Sequence, residues 1–346
     1  MLFAAMASVV LTSCVNEDME VMESASKKAI SFDMPVMKPT RAQLGEIIGT
    51  TYPETESFKV FCKSYIGTYA GWEGATNYFN ENGETVSKSG TQWTTTTPHY
   101  WPELGNELVF AAYSPADAAG TYSQTNAGLQ IDDFTTAAAN SQYDLMYTAR
   151  VAGKNKGNNG DAAVSMVFKH ALTSVVFSAV AADDKATYKI KSLTVNGPIA
   201  TSGDFNQNIA TAAELDGTPV WTPAAATDMT YGILSGAAVS VANSGVMLTG
   251  NGSAAEAKSA LLLIPQGVDG ATTVTIVYDK TTSDGTLEST AAVKLSDFKA
   301  GGASISEWVM GNRYVYNIIF GANKPIHFSP SIEADWATTT LDFTIQ

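Results

Sequence analysis

Cysteine, histidine, arginine and charge are all scarce in this sequence. Its 346 residues include two cysteines, Cys14 and Cys62, and three histidines, His99, His170 and His327. The histidines stand far apart, with no H-x-E, H-E-x-x-H or Cys–His spacing, which excludes the familiar zinc and iron motifs. No G-x-S-x-G, Walker loop or helix-opening G-x-G-x-x-G occurs, so the sequence offers no nucleophile, base or metal set for an enzyme and calls for no cofactor. The paired acids Asp132-Asp133 and Asp183-Asp184 lack EF-hand spacing and read as solvated turn residues, a weak calcium site being the alternative. Charged residues make up 16% of the chain, against ~25% in an ordinary soluble domain. Twenty basic residues face 34 acidic ones, a net charge of −14. A chain of that sign is repelled by nucleic acid and by anionic headgroups, and neither is expected as a partner.

Long apolar runs are missing too. The longest, Leu2 to Leu11, falls well short of the ~20 residues a spanning helix needs. It reads as the core of a signal peptide (residues 1–14), although no Lys or Arg precedes Lys27. Leu11-Thr12-Ser13-Cys14 follows it directly and has the form of a lipobox. Lipid on Cys14 would supply two acyl chains, enough for stable anchoring to the outer membrane. Cys62 is then left alone, within the strand-like run Phe58–Lys63, and reads as a buried, inert thiol. Residues 15–29 are acidic and aperiodic, as a tether is.

What the chain does have is β-structure. Runs rich in Val, Ile, Phe, Tyr and Thr recur between Gly, Asn, Asp and Pro. In the first half they are Phe58–Ile66, Gln92–Thr96, Leu108–Tyr113, Leu129–Ile131 and Tyr143–Ala149. In the second they are Val164–Phe168, Leu172–Val180, Tyr188–Val195, Val246–Leu248, Leu261–Ile264, Val274–Tyr278, Ala291–Leu295 and Tyr314–Phe320. No long run carries a 3.6-residue apolar stripe. Thr135–Gln142 reads as a helical turn or a loop, and Ala210–Ala238 gives no assignable pattern. Gly153–Asp161 has no large apolar group and places a domain boundary at 158/159, a long hairpin loop being the alternative. The expectation is an all-β fold of two β-sandwich domains in tandem, residues 30–158 and 159–346.

Two further stretches alternate cleanly. Ile30, Phe32, Met34 and Val36 fall on one side of an extended strand, and so do Leu341, Phe343 and Ile345 near the end of the sequence. The latter segment, 338–346, either closes its own sheet or reaches a neighbour's. Between the first strand and the long β-run lies Arg41, one of three arginines with Arg150 and Arg313. It sits before Ala42 in a linker containing Pro and Thr, where a protease finds its substrate; an incidental linker charge is the competing reading. His170 reads as a hydrogen-bonded structural histidine. The aromatics Tyr69, Trp72, Trp93, Tyr100 and Trp101 read as core or cross-strand packing, sugar stacking being the alternative.

In sequence order the chain offers the lipobox, Ile30–Val36, Thr40-Arg41-Ala42, Tyr100-Trp101-Pro102 with Leu108–Pro115, Asp144-Leu145-Met146, Phe168–Leu172 and Trp308–Tyr316. This series resembles the fimbrillin-like subunits of type V pili over nearly the whole chain. The resemblance implies transthyretin-like sandwiches and export as an outer-membrane lipoprotein. It also implies cleavage after Arg41 by an arginine-specific protease. Loss of the first strand would open a groove, and a strand of another subunit, corresponding here to Leu341–Ile345, would fill it in a head-to-tail polymer that supports adhesion. The alternative role is a pilus tip adhesin or a stand-alone surface lipoprotein that binds a glycan or a host protein.

Overall fold

The structure, a computed structural model, describes residues 28–34, 52–102, 105–137, 141–234, 236–248, 260–300, 303–321 and 324–334. Cys14, Val36, Arg41, Ala42, Leu341, Phe343 and Ile345 lie outside them. The described chain is almost entirely β. Its regular helix is one turn, Lys156–Asn159, capped by the Asn155 side chain; a short 3-10 turn follows at Leu295–Asp297. Among the described residues no helix is long and apolar enough to cross a membrane.

A ten-stranded sheet is the largest element. Its strands run in the spatial order Val164–Ser165, Ser31–Asp33, Gln92–Thr95, Glu84–Ser89, Phe58–Ile66, Asn106–Ser114, Met146–Thr148 and Phe168–His170, with Thr76–Asn77 and Val151–Lys154 off this path. A four-stranded sheet orders Val220–Pro223, Ser202–Asn206, Gly128–Thr135 and Thr121–Thr125. Two five-stranded sheets and two short two-stranded ladders make up the rest of the described sheets. One five-stranded sheet is built on Thr173–Ala181 and Asn312–Gly321, paired in parallel, with Lys324–Ala334 antiparallel beyond. The other is built on Thr187–Ile199, Thr273–Thr282 and Gly285–Lys294.

Period-two patterning assigns each side chain to a core. In Phe58–Ile66, Phe58, Val60 and Cys62 enter one cluster while Phe61 enters another. In Asn106–Ser114, Leu108, Phe110 and Ala112 join the first cluster and Val109, Ala111 and Tyr113 the second. That second cluster fills the space toward the four-stranded sheet through Leu129, Ile131, Phe134, Phe205 and Trp221. A third cluster lies between the two five-stranded sheets, with Val175, Phe177, Tyr316 and Phe320 against Tyr188, Ile190, Leu193 and Ile276. Thr173–Ala181 is buried along its whole length because a core lies on each side of it. A strand sandwiched in this way reads as an unbroken apolar run.

Ladders cross the 158/159 line. Val164–Ser165 and Phe168–His170 belong to the ten-stranded sheet, and Ser202–Asn206 pairs with Gly128–Thr135. The polar segment after Val151–Lys154 forms the capped helical turn and remains on the surface. The unassigned stretch 210–238 contains two strands, Val220–Pro223 and Thr227–Leu234. Thr227–Leu234 escaped recognition because its first half is exposed and polar, and only Tyr231, Ile233 and Leu234 are buried.

Candidate functional site

The first strand is where sequence and structure meet most closely. Alternation puts Ile30, Phe32 and Met34 on one face, and all three are buried to 4% exposure or less. Asp33, between them, faces solvent. The regular strand is Ser31–Asp33, and it lies inside the sheet, with a neighbour on each side. Ser31 and Phe32 pair antiparallel with Thr94 and Trp93. Phe32 and Asp33 pair in parallel with Val164 and Ser165. One further bond closes each end: Ile30 N–H donates to the His99 carbonyl at 2.7 Å, and Met166 N–H to the Asp33 carbonyl at 2.7 Å.

Phe32 is the centre of the packing. Its ring meets Phe110 edge-on at 5.7 Å and Phe58 at 6.0 Å. Burying three side chains of this size is worth about 5–9 kcal/mol in total, an upper figure because unfolded chains already bury some surface. That compares with the whole stability of an ordinary domain. The strand therefore supplies a large part of the core it enters, although residues before Lys28 and 35–51 are its covalent connections.

Tyr52, a lone aromatic in the stretch between Arg41 and the first long β-run, completes this core. Its ring stacks on Phe168 at 5.5 Å and stands edge-on to Trp93 and Phe58. Its hydroxyl pairs with Ser114 Oγ at 2.7 Å, and burial pushes its pKa up. The available signal was an aromatic residue before proline in an otherwise polar stretch. Residues 35–51 thus begin and end at anchor points in one apolar cluster, Met34 and Tyr52. At the opening of the strand, Lys28 Nζ donates to the Asp161 carbonyl at 2.9 Å. His99 stacks on Phe79 at 4.1 Å. Burial lowers its pKa, partly offset by Glu84.

Elsewhere, polar residues serve packing. His170 Nδ1 lies 2.9 Å from Asp144 Oδ2, both side chains buried. Arg150 is buried, lies over the Trp72 ring at 5.6 Å, and donates to the Thr125 and Asn126 carbonyls. Cys62 is a free, buried thiol whose pKa burial pushes up. Trp72 and Trp93 are buried and Trp101 packs near Phe110, while Tyr100 is exposed. Among the described residues no group of His, Cys, Asp and Glu is placed to hold a metal ion.

What this site offers chemically is a strand-shaped slot: two ladder edges, Gln92–Thr95 and Val164–Ser165, over a floor of aromatic and aliphatic side chains. Comparison with known proteins agrees with such a β-rich body. No curated protein matches the chain. A fimbrial protein from Bacteroides vulgatus has the same fold at a TM-score of 0.52 and 16% identity, with 88% of this chain and 99% of that one covered. A candidate cell adhesion protein from Bacteroides uniformis is similar at a TM-score of 0.49 and 15% identity over 89% of this chain and 99% of the other. The model of the family described as fimbrillin-like matches residues 40–336, which leaves the first strand outside the match. With that match spanning most of its length, the chain belongs to the fimbrillin-like family.

Proposed function

We propose that the protein is a structural subunit of a cell-surface pilus, assembled by exchange of its first strand. In this reading it is exported as a lipoprotein held by Cys14 and cut between Arg41 and Ala42 by an arginine-specific protease. The observation that carries the reading is the placement of Ile30, Phe32 and Met34. They sit within a sheet, paired on both sides, at the very start of the described chain. Cutting in residues 35–51 leaves the strand held only by non-covalent contacts. Once it leaves, two rows of backbone groups and an apolar trough await a partner, and strand addition is a recognition mode that satisfies both. Leu341, Phe343 and Ile345 of a second copy have the spacing to fill the positions of Ile30, Phe32 and Met34. A contact of that kind is heterologous and does not close on itself, so it propagates a filament.

The test is the N-terminal residue of surface-recovered protein together with the Arg41→Ala variant. The reading expects Ala42 at the N-terminus and no filaments from the variant. Normal filaments from Arg41→Ala would overturn it. Deleting residues 338–346 separates stalk from tip: a stalk subunit stops polymerising, and a tip adhesin is still incorporated.

A further inference from the structure

Past the end of the apolar core, the ten-stranded sheet carries at its end an open cavity of ≈ 610 Å³. Its position follows from period-two patterning. Phe58, Val60 and Cys62 face the cluster around Phe32, and the next residues on that side are Ser64 and Ile66. Backbone pairing sets Thr76 opposite Ser64 and Asn106 opposite Ile66, so all four share one face. Tyr78, two residues beyond Thr76, and Pro102 extend this wall, and Tyr65 with residues of the 68–77 segment, Thr68 and Asn77 among them, closes the rest.

The chemistry of this lining is specific. None of the described residues lining the cavity is charged. The Ser64 and Thr76 hydroxyls and the Asn106 amide make no hydrogen bond among the described residues. Ile66 is 78% exposed, the most exposed large apolar side chain in the described structure. The Tyr78 hydroxyl is spent on the Tyr100 carbonyl, which pins its ring.

Each ligand class can be weighed against this lining. An anion would find no cation there, and would approach a chain of net charge −14. A cation or amine would find no carboxylate among the described lining residues. A wholly apolar ligand would strip water from two hydroxyls and an amide and return no hydrogen bond. An uncharged molecule dense in hydroxyls, with a C–H face, matches the uncharged polar groups and the apolar ones together, and the volume lies within the range of small-molecule sites.

We propose that this cavity binds a neutral mono- or disaccharide. Its hydroxyls pair with Asn106, Thr76 and Ser64, and its C–H face rests on Ile66 and Tyr78. The proposal does not depend on strand exchange and is tested on the uncut chain.

The experiment titrates the purified precursor with glucose, galactose, mannose, N-acetylglucosamine and lactose, reading saturation-transfer NMR. The expected result is binding of at least one sugar with a dissociation constant of about 1 mM. Asn106→Ala and Ile66→Asp should each weaken it by roughly tenfold or more, while the remote exposed change Leu287→Asp leaves it unaltered. Ile66 is so exposed that its replacement leaves the core intact, and circular dichroism checks both variants. The proposal is overturned if no sugar of the panel binds at about 10 mM, or if binding survives the Asn106 and Ile66 changes undiminished.

Discussion

Phe32 stands edge-on to Phe110, ring centres 5.7 Å apart, and joins a three-residue strand to the centre of a ten-stranded sheet. Phe32→Ala would leave a void against Phe110 and Phe58, a loss of about 3–5 kcal/mol for a buried phenylalanine. Denaturant unfolding of the uncut precursor should show that loss. Under strand exchange the same change has no effect on assembled filaments, because the residue has been discarded by then. A filament destabilised by Phe32→Ala would show that the first strand stays in place.

The reciprocal change lies near the end of the sequence. Under strand exchange, Phe343→Asp should abolish polymerisation of cut protein while leaving the unfolding free energy of the uncut precursor within about 0.5 kcal/mol of wild type, the size of an ordinary surface change. Electron microscopy and denaturant melts on the same preparation read the two outcomes. Loss of precursor stability would mean that this segment serves its own subunit first.

His99 gives the strand's opening a pH dependence. Burial holds its pKa below the usual histidine value, with Glu84 pulling the other way. For a base whose folded pKa is depressed, the unfolded chain takes up the proton first. Stability is therefore constant above the ordinary value near 6.5 and falls as pH drops from there toward the lowered pKa. The His99 carbonyl accepts from Ile30, so the loss should appear as faster hydrogen exchange at Ile30. His99→Gln should flatten the stability–pH curve in that window; an unchanged slope would remove His99 as its cause.

The Asp144–His170 pair is buried on both sides. Removing one partner of a buried hydrogen-bonded pair costs about 1–3 kcal/mol, and more where a charge is involved. Asp144→Asn should therefore lower the urea midpoint strongly, whereas replacing both residues with apolar ones of similar volume should recover much of the loss. A double-mutant cycle measures the coupling, and additive losses would show that the two side chains act independently.

Much of the sheet framework was legible because alternation survives wherever one or both faces are buried. Phe58–Ile66 and Val246–Leu248 coincide with the strands observed. Ile30, Phe32 and Met34 were readable for the same reason. Thr121–Thr125 and Glu84–Ser89 were missed because they carry few large apolar residues and much exposed surface. Tyr52 was missed because a single side chain has no period. The floor of the slot comes from strands distant in sequence, such as Val164 and Phe168 beside Trp93, and only the pairing of those strands brings them together.

The bedding of the first strand between one antiparallel and one parallel neighbour also bears on mechanics. A filament joint that copied it would carry tension along the strand axis. Every ladder bond would then be loaded in shear at once, instead of being peeled open one after another. Such a fibre would yield only under a force that also drags three side chains out of a dry interior, so flow at a colonised surface would stretch it long before parting it.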